Sequence, residues 1–243
     1  MQIEPIPFQH LLIMFVPMAI VLLLMRSWGL NVGKACYAII RMLLQLFLIG
    51  YALIMIFESD SSLVTLSVLM LMILVSSWIS LNTLSGSVSR NLSEKIGLFY
   101  VAILSVLIGG GLMLIIVTQW VLGLEPWFLP RYIIPLAGMI FSTAMTSISL
   151  AGERLQSELR QEKSYEEASK VAFNTSMIPN INAMFAVGLV SLPGMMTGQI
   201  LSGVSPFIAA RYQVMVMCML FSAAGISSFI FLVLAKKSLS KPG

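Results

Sequence analysis

The sequence predicts an all-α, polytopic membrane protein of about seven transmembrane helices, and three observations predict it. Of 243 residues, 58% are hydrophobic and only 10% charged, with a mean hydropathy of +0.97, whereas soluble globular domains carry about 25% charged residues. The apolar residues fall in runs of roughly 20, the length a helix needs to cross the hydrocarbon core. The charges gather between the runs, above all in one polar island, residues 152–180, GERLQSELRQEKSYEEASKVAFNTSMIPN. That island holds five of the ten acidic residues (Glu153, Glu158, Glu162, Glu166, Glu167) and four of the fourteen basic ones. An unpaired charge in hydrocarbon costs several kcal/mol, so the island projects into water. Residues 1–243 read as a single transmembrane domain.

Taken in order, residues 8–25 form the first span. It lacks a basic leader and a small-residue cleavage site, and Glu4 precedes it, so it reads as a retained span rather than a signal peptide. His10 starts it and reads as interfacial. Arg26, Trp28, Gly29 and Lys34 lie in a polar connection to the second span, 35–57, which Glu58, Ser59, Asp60 and Ser61 close. The third span, 63–81, leads to a loop, NTLSGSVSRNLSEK, with Arg90 and Lys95. The fourth, 96–122, carries Gly109, Gly110 and Gly111 at its middle, which permit a kink or close helix contact. An aromatic turn, 124–130, follows, with Trp120 and Trp127 where indoles favour the membrane interface. The fifth span, 131–151, feeds directly into the island. The sixth, 181–201, is interrupted by Pro193 and Gly194 in SLPGMMTGQ and should be broken there. The seventh runs over 207–234 to a basic tail, KKSLSKPG. Cys36 and Cys218 sit in apolar runs, so buried packing is expected rather than a disulfide.

Within the island, Leu155, Leu159 and Glu162 share a stripe with Arg154, Glu158 and Lys163 at its flanks, as in a helix leaving the membrane for water. Ser164 and Glu167 form the S-x-x-E capping box of a new helix. This helix should be short, 165–173, ended by Asn174, Thr175 and Ser176, with Pro179 opening the next span. Tyr165, Ala168, Val171 and Ala172 give it an apolar face, beside Glu166, Glu167 and Lys170. That face needs a partner.

Seven spans place the termini on opposite sides, and the cations choose which. Arg26, Lys34, Arg90, Lys95, Arg154, Arg160, Lys163, Lys170, Lys236, Lys237 and Lys241 fall on one side, Arg131 and Arg211 on the other. The positive-inside rule makes the first side cytoplasmic, so the N-terminus is outside and the C-terminus and island are inside. Scattered over short loops, these cations are no nucleic-acid footprint.

Arg41, with Gln45 one turn later, is the basic residue that falls within a span, where it either faces a pathway or snorkels to the interface. Arg211 with Gln213 reads as an interfacial anchor. Met195 and Met196 are thioethers suited to soft ions, and with eighteen methionines in the chain they read as packing. A broken helix frees backbone groups of the kind transporters use for binding. Gly194 and Gly198 suit close helix contact or a dimer interface. The candidate pathway is therefore Arg41, Gln45, Pro193, Gly194, Met195, Met196 and Gln199, with no metal-ligand set assigned. None of the ten acids falls inside a span, which weighs against an ion-coupled secondary transporter. There is no HExxH and no GxxxxGK[ST], so neither metalloprotease chemistry nor ATP hydrolysis is encoded. A membrane assembly or scaffold role stays open.

The second span, GLNVGKACYAIIRMLLQLFLIGYAL, and the later run NINAMFAVGLVSLPGMMTGQILSGVSPFIAARYQVMVM resemble the FetB-type ABC permeases, bacterial iron exporters related to plant aluminium-tolerance proteins. PGMMTGQIL followed by SP and ARYQ is the specific part of the match, and the resemblance covers the chain from Gly29 onward. It implies a permease subunit of an ATP-driven exporter in the bacterial cytoplasmic (inner) membrane, dimeric, carrying iron or a related metal. It also implies a separate ABC ATPase subunit that holds the ATP and magnesium, with no cofactor in this chain. Where the family reads something like EAALALGA, this chain has EEASKVAF, with Ala172 in place of the expected glycine. The resemblance makes Tyr165, Glu166, Glu167, Ala168, Val171, Ala172 and Phe173 the candidate ATPase-coupling helix. A helix lying on the bilayer is the alternative, and anionic leaflets disfavour its glutamates.

Overall fold

The structure, a computed structural model, describes residues 7–59, 61–82 and 92–239. Arg90, Lys241, Glu4 and Asp60 lie outside the described residues. All regular structure described is helical, apart from one isolated backbone bridge, and six helices are long and apolar enough to cross a membrane. The chain divides into two compact units, Met1–Ser59 and Asp60–Gly243.

In the first unit, α1 (Phe8–Ile13) and α2 (Phe15–Ser27) together make one span with a break at Met14. The break lies where the ring of Pro17 displaces the carbonyl four residues earlier, that of Ile13. Helix α3 (Val32–Phe57) starts three residues before the expected span because the Asn31 side chain accepts the Lys34 backbone N–H at 3.1 Å. No residue of α2 or α3 is buried, and both are predominantly apolar, with Arg26 in the last turn of α2 and Lys34, Arg41 and Gln45 the polar long side chains of α3.

The second unit holds α4 (Ser62–Leu81), α5 (Leu92–Ile115), α6 (Pro130–Leu159), α7 (Tyr165–Ala186), α8 (Gly194–Leu201), α9 (Pro206–Leu234) and α10 (Lys236–Leu239). Helix α5 passes into one turn of π-helix, Ile116–Val121. Helix α6 is the centre: it packs on α4, α5, α7 and α9. Ile133, Ala137, Ile140, Ala144, Ile148, Ala151 and Leu155, spaced by three and four, put one stripe of it in the core, each at most 2% exposed.

In lipid, apolar burial does not drive helices together, so close packing of small residues must. The interior is accordingly lined with Ser76, Ser77, Ser80, Ser105, Ser147, Ser176, Ser227 and Ser228, and most of their hydroxyls donate to a carbonyl three or four residues back in their own helix. The glycine cluster resolves as close contact rather than a kink. A Cβ on Gly109 would lie 2.7 Å from the backbone nitrogen of Ser227 on α9, and one on Gly110 2.9 Å from the Phe141 ring on α6.

Two expectations for the polar island are overturned. Helix α7 does not stop at Phe173. It runs 22 residues to Ala186, through Asn174, Thr175, Ser176 and Pro179. The hydroxyls of Thr175 and Ser176 donate to the carbonyls of Val171 and Phe173 instead of competing for the backbone, and Ser176 and Met177 are buried, so packing overrides the local stop signals. Residues 181–201 are consequently not one span. The break expected at Pro193 and Gly194 is present but opens earlier, at Val187, with a tight turn bridging Val187 and Ser191. Pro193 is the cap of α8 and Gly194 its first residue. The cysteines are free, as expected, but Cys218 is exposed on α9 and Cys36 half-buried rather than packed in the core.

Candidate functional site: a charged elbow and a methionine-lined cavity

Helices α6 and α7 meet in an elbow, Arg160–Ser164, where Glu162 takes a left-handed backbone conformation, φ 59°. The capping box forms as the sequence predicts: the Ser164 hydroxyl accepts the Glu167 N–H at 3.3 Å, and the Ser164 N–H donates to the Glu167 carboxylate at 3.4 Å. Glu158, expected at an exposed flank, is instead wholly buried at the end of α6, ion-paired to Arg154 one turn back and to Lys163 across the elbow. This buried carboxylate ties the end of α6 to the elbow at Lys163.

The candidate coupling residues divide into two sets. Tyr165, Ala168, Ala172 and Phe173 turn inward: Ala168 and Ala172 are fully buried, the Tyr165 hydroxyl donates to the Leu232 carbonyl of α9 at 2.6 Å, and Phe173 meets Phe229 edge to face. The partner that the apolar face needs is thus this chain's own α9. Val171 is half-buried, while Glu166 and Glu167 are exposed. Lys170 pairs with Glu166 at 2.8 Å and holds its carboxyl below the usual range, a screened surface pair of small worth.

Burial pushes the Tyr165 phenol up to about 12. Its protonated form is therefore favoured by folding, and its contribution is complete below pH 10 and lost as pH rises from 10 towards 12. Tyr165→Phe should lower stability by about 1 kcal/mol and remove that part of the alkaline melting, read by thermal unfolding from about pH 8 to 12.

Two cavities lie beside α8. One, a half-open cleft of about 280 Å³, lies between α6, α7, α8 and α9 and is lined by Met139, Asn180, Ser191, Met195, Gln213 and Met217, together with Pro193 and Gly194. The other, about 540 Å³, shares Met139 and Met195 and adds Gln199, Arg131, Tyr212 and Met215. Of the candidate pathway residues, Pro193, Gly194, Met195 and Gln199 come together here, whereas Met196 lines neither cavity. Arg41 and Gln45 belong to α3 of the first unit, Arg41 half-buried and Gln45 exposed.

Sequence reasoning missed Gln213. Paired with Arg211 as an anchor, it turns inward instead and is 5% exposed, because residues two apart on a helix point to nearly opposite sides. That geometry was the available signal: an outward Arg211 requires an inward Gln213. A Cβ added to Gly194 or Gly198 would meet nothing within 4 Å, so their spacing serves no contact within this chain.

The class defined by these helices is a polytopic integral membrane protein whose interior is knitted by small polar residues around a soft-lined cavity. The model of an uncharacterised protein family (UPF0014) matches residues 8–169 and 161–239, and the chain belongs to that family. It is 35% identical to a UPF0014 membrane protein of Synechocystis, over 80% of this chain and 78% of that one. Against the probable iron export permease protein FetB of Escherichia coli it is 32% identical, over 78% and 75% of the two chains. It is also 31% identical to the protein ALUMINUM SENSITIVE 3 of Arabidopsis thaliana, over 81% and 73%. No solved structure matches the chain.

Proposed function

We propose that this chain is the membrane subunit of an ATP-driven (ABC) exporter of iron or a related metal, working as a homodimer with a separate ATPase in a bacterial inner membrane. The observation that carries the proposal is the similarity to the probable iron export permease over three quarters or more of both chains. The elbow supplies the mechanics. An energy-coupling contact must be exposed, rigid and joined to the spans. Glu166 and Glu167 are exposed just beyond an elbow whose Lys163 is paired to the buried Glu158 of α6. Helix α7 beyond this elbow, with the turn after Ala186, carries the chain across. This retains seven crossings, an outer N-terminus and a cytoplasmic elbow.

Among the described residues no carboxylate lies at the middle of a candidate span, which supports energy supplied by a partner over ion coupling in this chain. The test is to solubilise the tagged protein gently and ask whether a Walker-A ATPase co-purifies and whether cells lacking the chain accumulate metal. Wild-type protein that exports metal alone refutes the proposal. On the same account Arg41→Ala lowers flux severalfold with assembly intact, and unchanged flux makes Arg41 an interfacial anchor.

A further inference from the structure

The cavity between α6, α7, α8 and α9 has a donor set that does not match hard or borderline metal ions. Three of its twelve lining residues, Met139, Met195 and Met217, are methionines, against 18 in 243 for the whole chain, so the thioethers are concentrated here more than threefold. No residue lining it carries a charge. Gln213, 5% exposed on its wall, has a carboxamide oxygen that is completely covered and accepts no hydrogen bond. Thioethers cannot satisfy a buried carbonyl left so, because sulfur in methionine donates nothing. In the adjoining cavity the Gln199 oxygen is in the same condition, beside the same Met139 and Met195.

Thioethers with no carboxylate or thiolate beside them are the complement of a soft cation. Sulfur ligands select Cu(I) over iron or zinc, and His, Cys, Asp and Glu form no cluster of three or more able to hold a metal among the described residues. The charge of the ion is limited as well. The cost of dehydrating an ion grows as the square of its charge, and with no carboxylate to offset it, a neutral pocket tolerates a monovalent ion far better than a divalent one. A space of about 280 Å³ admits the ion with its remaining shell.

We infer that this cavity is a binding site for a soft monovalent metal ion, Cu(I) or its analogue Ag(I), held by the sulfurs of Met139, Met195 and Met217. The site stands independently of the ATPase and of iron export, and its test needs neither.

The experiment uses the full-length chain in detergent, with Cys36→Ser and Cys218→Ser to remove competing thiols, titrated with Cu(I) against a chromophoric Cu(I) chelator under reductant. The expected result is about one Cu(I) withdrawn per chain. Met139→Leu with Met195→Leu, swaps that conserve volume and so keep the fold, should weaken retention at least tenfold. Excess Fe(II) should leave it unchanged. Absence of Cu(I) uptake by the thiol-free chain, equal uptake in the methionine variants, or displacement by Fe(II) would each overturn the assignment. Loss of ATPase co-purification with Cu(I) retained would refute the export proposal while leaving this site standing.

Discussion

Gly109→Leu should leave almost no folded protein in the membrane, and Gly109→Ala should cost about 2–3 kcal/mol, the upper part of the range for overpacking a tight interior. A Cβ there would collide with the Ser227 hydroxyl oxygen and approach the Ser227 Cα to 2.9 Å. The second of these is backbone, which cannot swing away as a side-chain tip can, so α5 and α9 would have to part. Their contact is among the most extensive in the second unit. Gly111, two residues on, is the control. A methyl there meets only Leu107 Cδ1 at 3.9 Å, ordinary contact, so Gly111→Ala should change stability by less than about 0.5 kcal/mol. Thermal unfolding of the purified variants decides the matter. Helix propensity favours alanine at both positions, so equal losses at the two would mean that the α5–α9 approach does not set the requirement for glycine.

The second large effect is expected at the elbow. Glu166→Lys with Glu167→Lys should abolish co-purification of an ATPase while the variant still accumulates, its melting lowered only by loss of the Ser164 capping box and the Lys170 pair, about 1 kcal/mol, because both side chains are exposed and neither joins the core. Ala172→Asp would be a poor probe of docking: Ala172 is fully buried, so a carboxylate there would unfold the region whether or not a partner binds. Pull-down with the double variant, beside its melting curve, separates the two effects. ATPase retained at the wild-type level would remove Glu166 and Glu167 from the interface.

Six of the seven expected spans were legible in the sequence, each coinciding with a helix long and apolar enough to cross, because hydrocarbon imposes a length and a composition that few other constraints imitate. The capping box at Ser164 was legible for the same kind of reason: its chemistry is local. The sixth span was not. Asn174, Thr175, Ser176 and Pro179 are all residues that end helices in isolation, and only the burial of Ala172, Ser176 and Met177 against neighbouring helices carries α7 past them. Glu158 was misplaced on the same ground. A glutamate in a charged stretch looks solvated until its two cations prove to close over it. The cavity was partly visible, in Pro193, Gly194 and Met195, but Met139 and Met217 look like ordinary packing residues in long apolar runs, and only the fold assembles them.

Helix α6 reaches without interruption from Pro130 to Leu159, with the cavity wall at Met139 near one end and the buried Glu158 at the other. From Phe141, which sits against Gly110, to Glu158 is roughly 26 Å of helix. A tilt of about 5° around that fulcrum would shift the far end by about 2 Å in one direction and the Met139 end by a fraction of that in the other. Were a partner to push on the elbow, as proposed above, α6 would act as a see-saw with unequal arms, a large displacement in water becoming a small one at Met139.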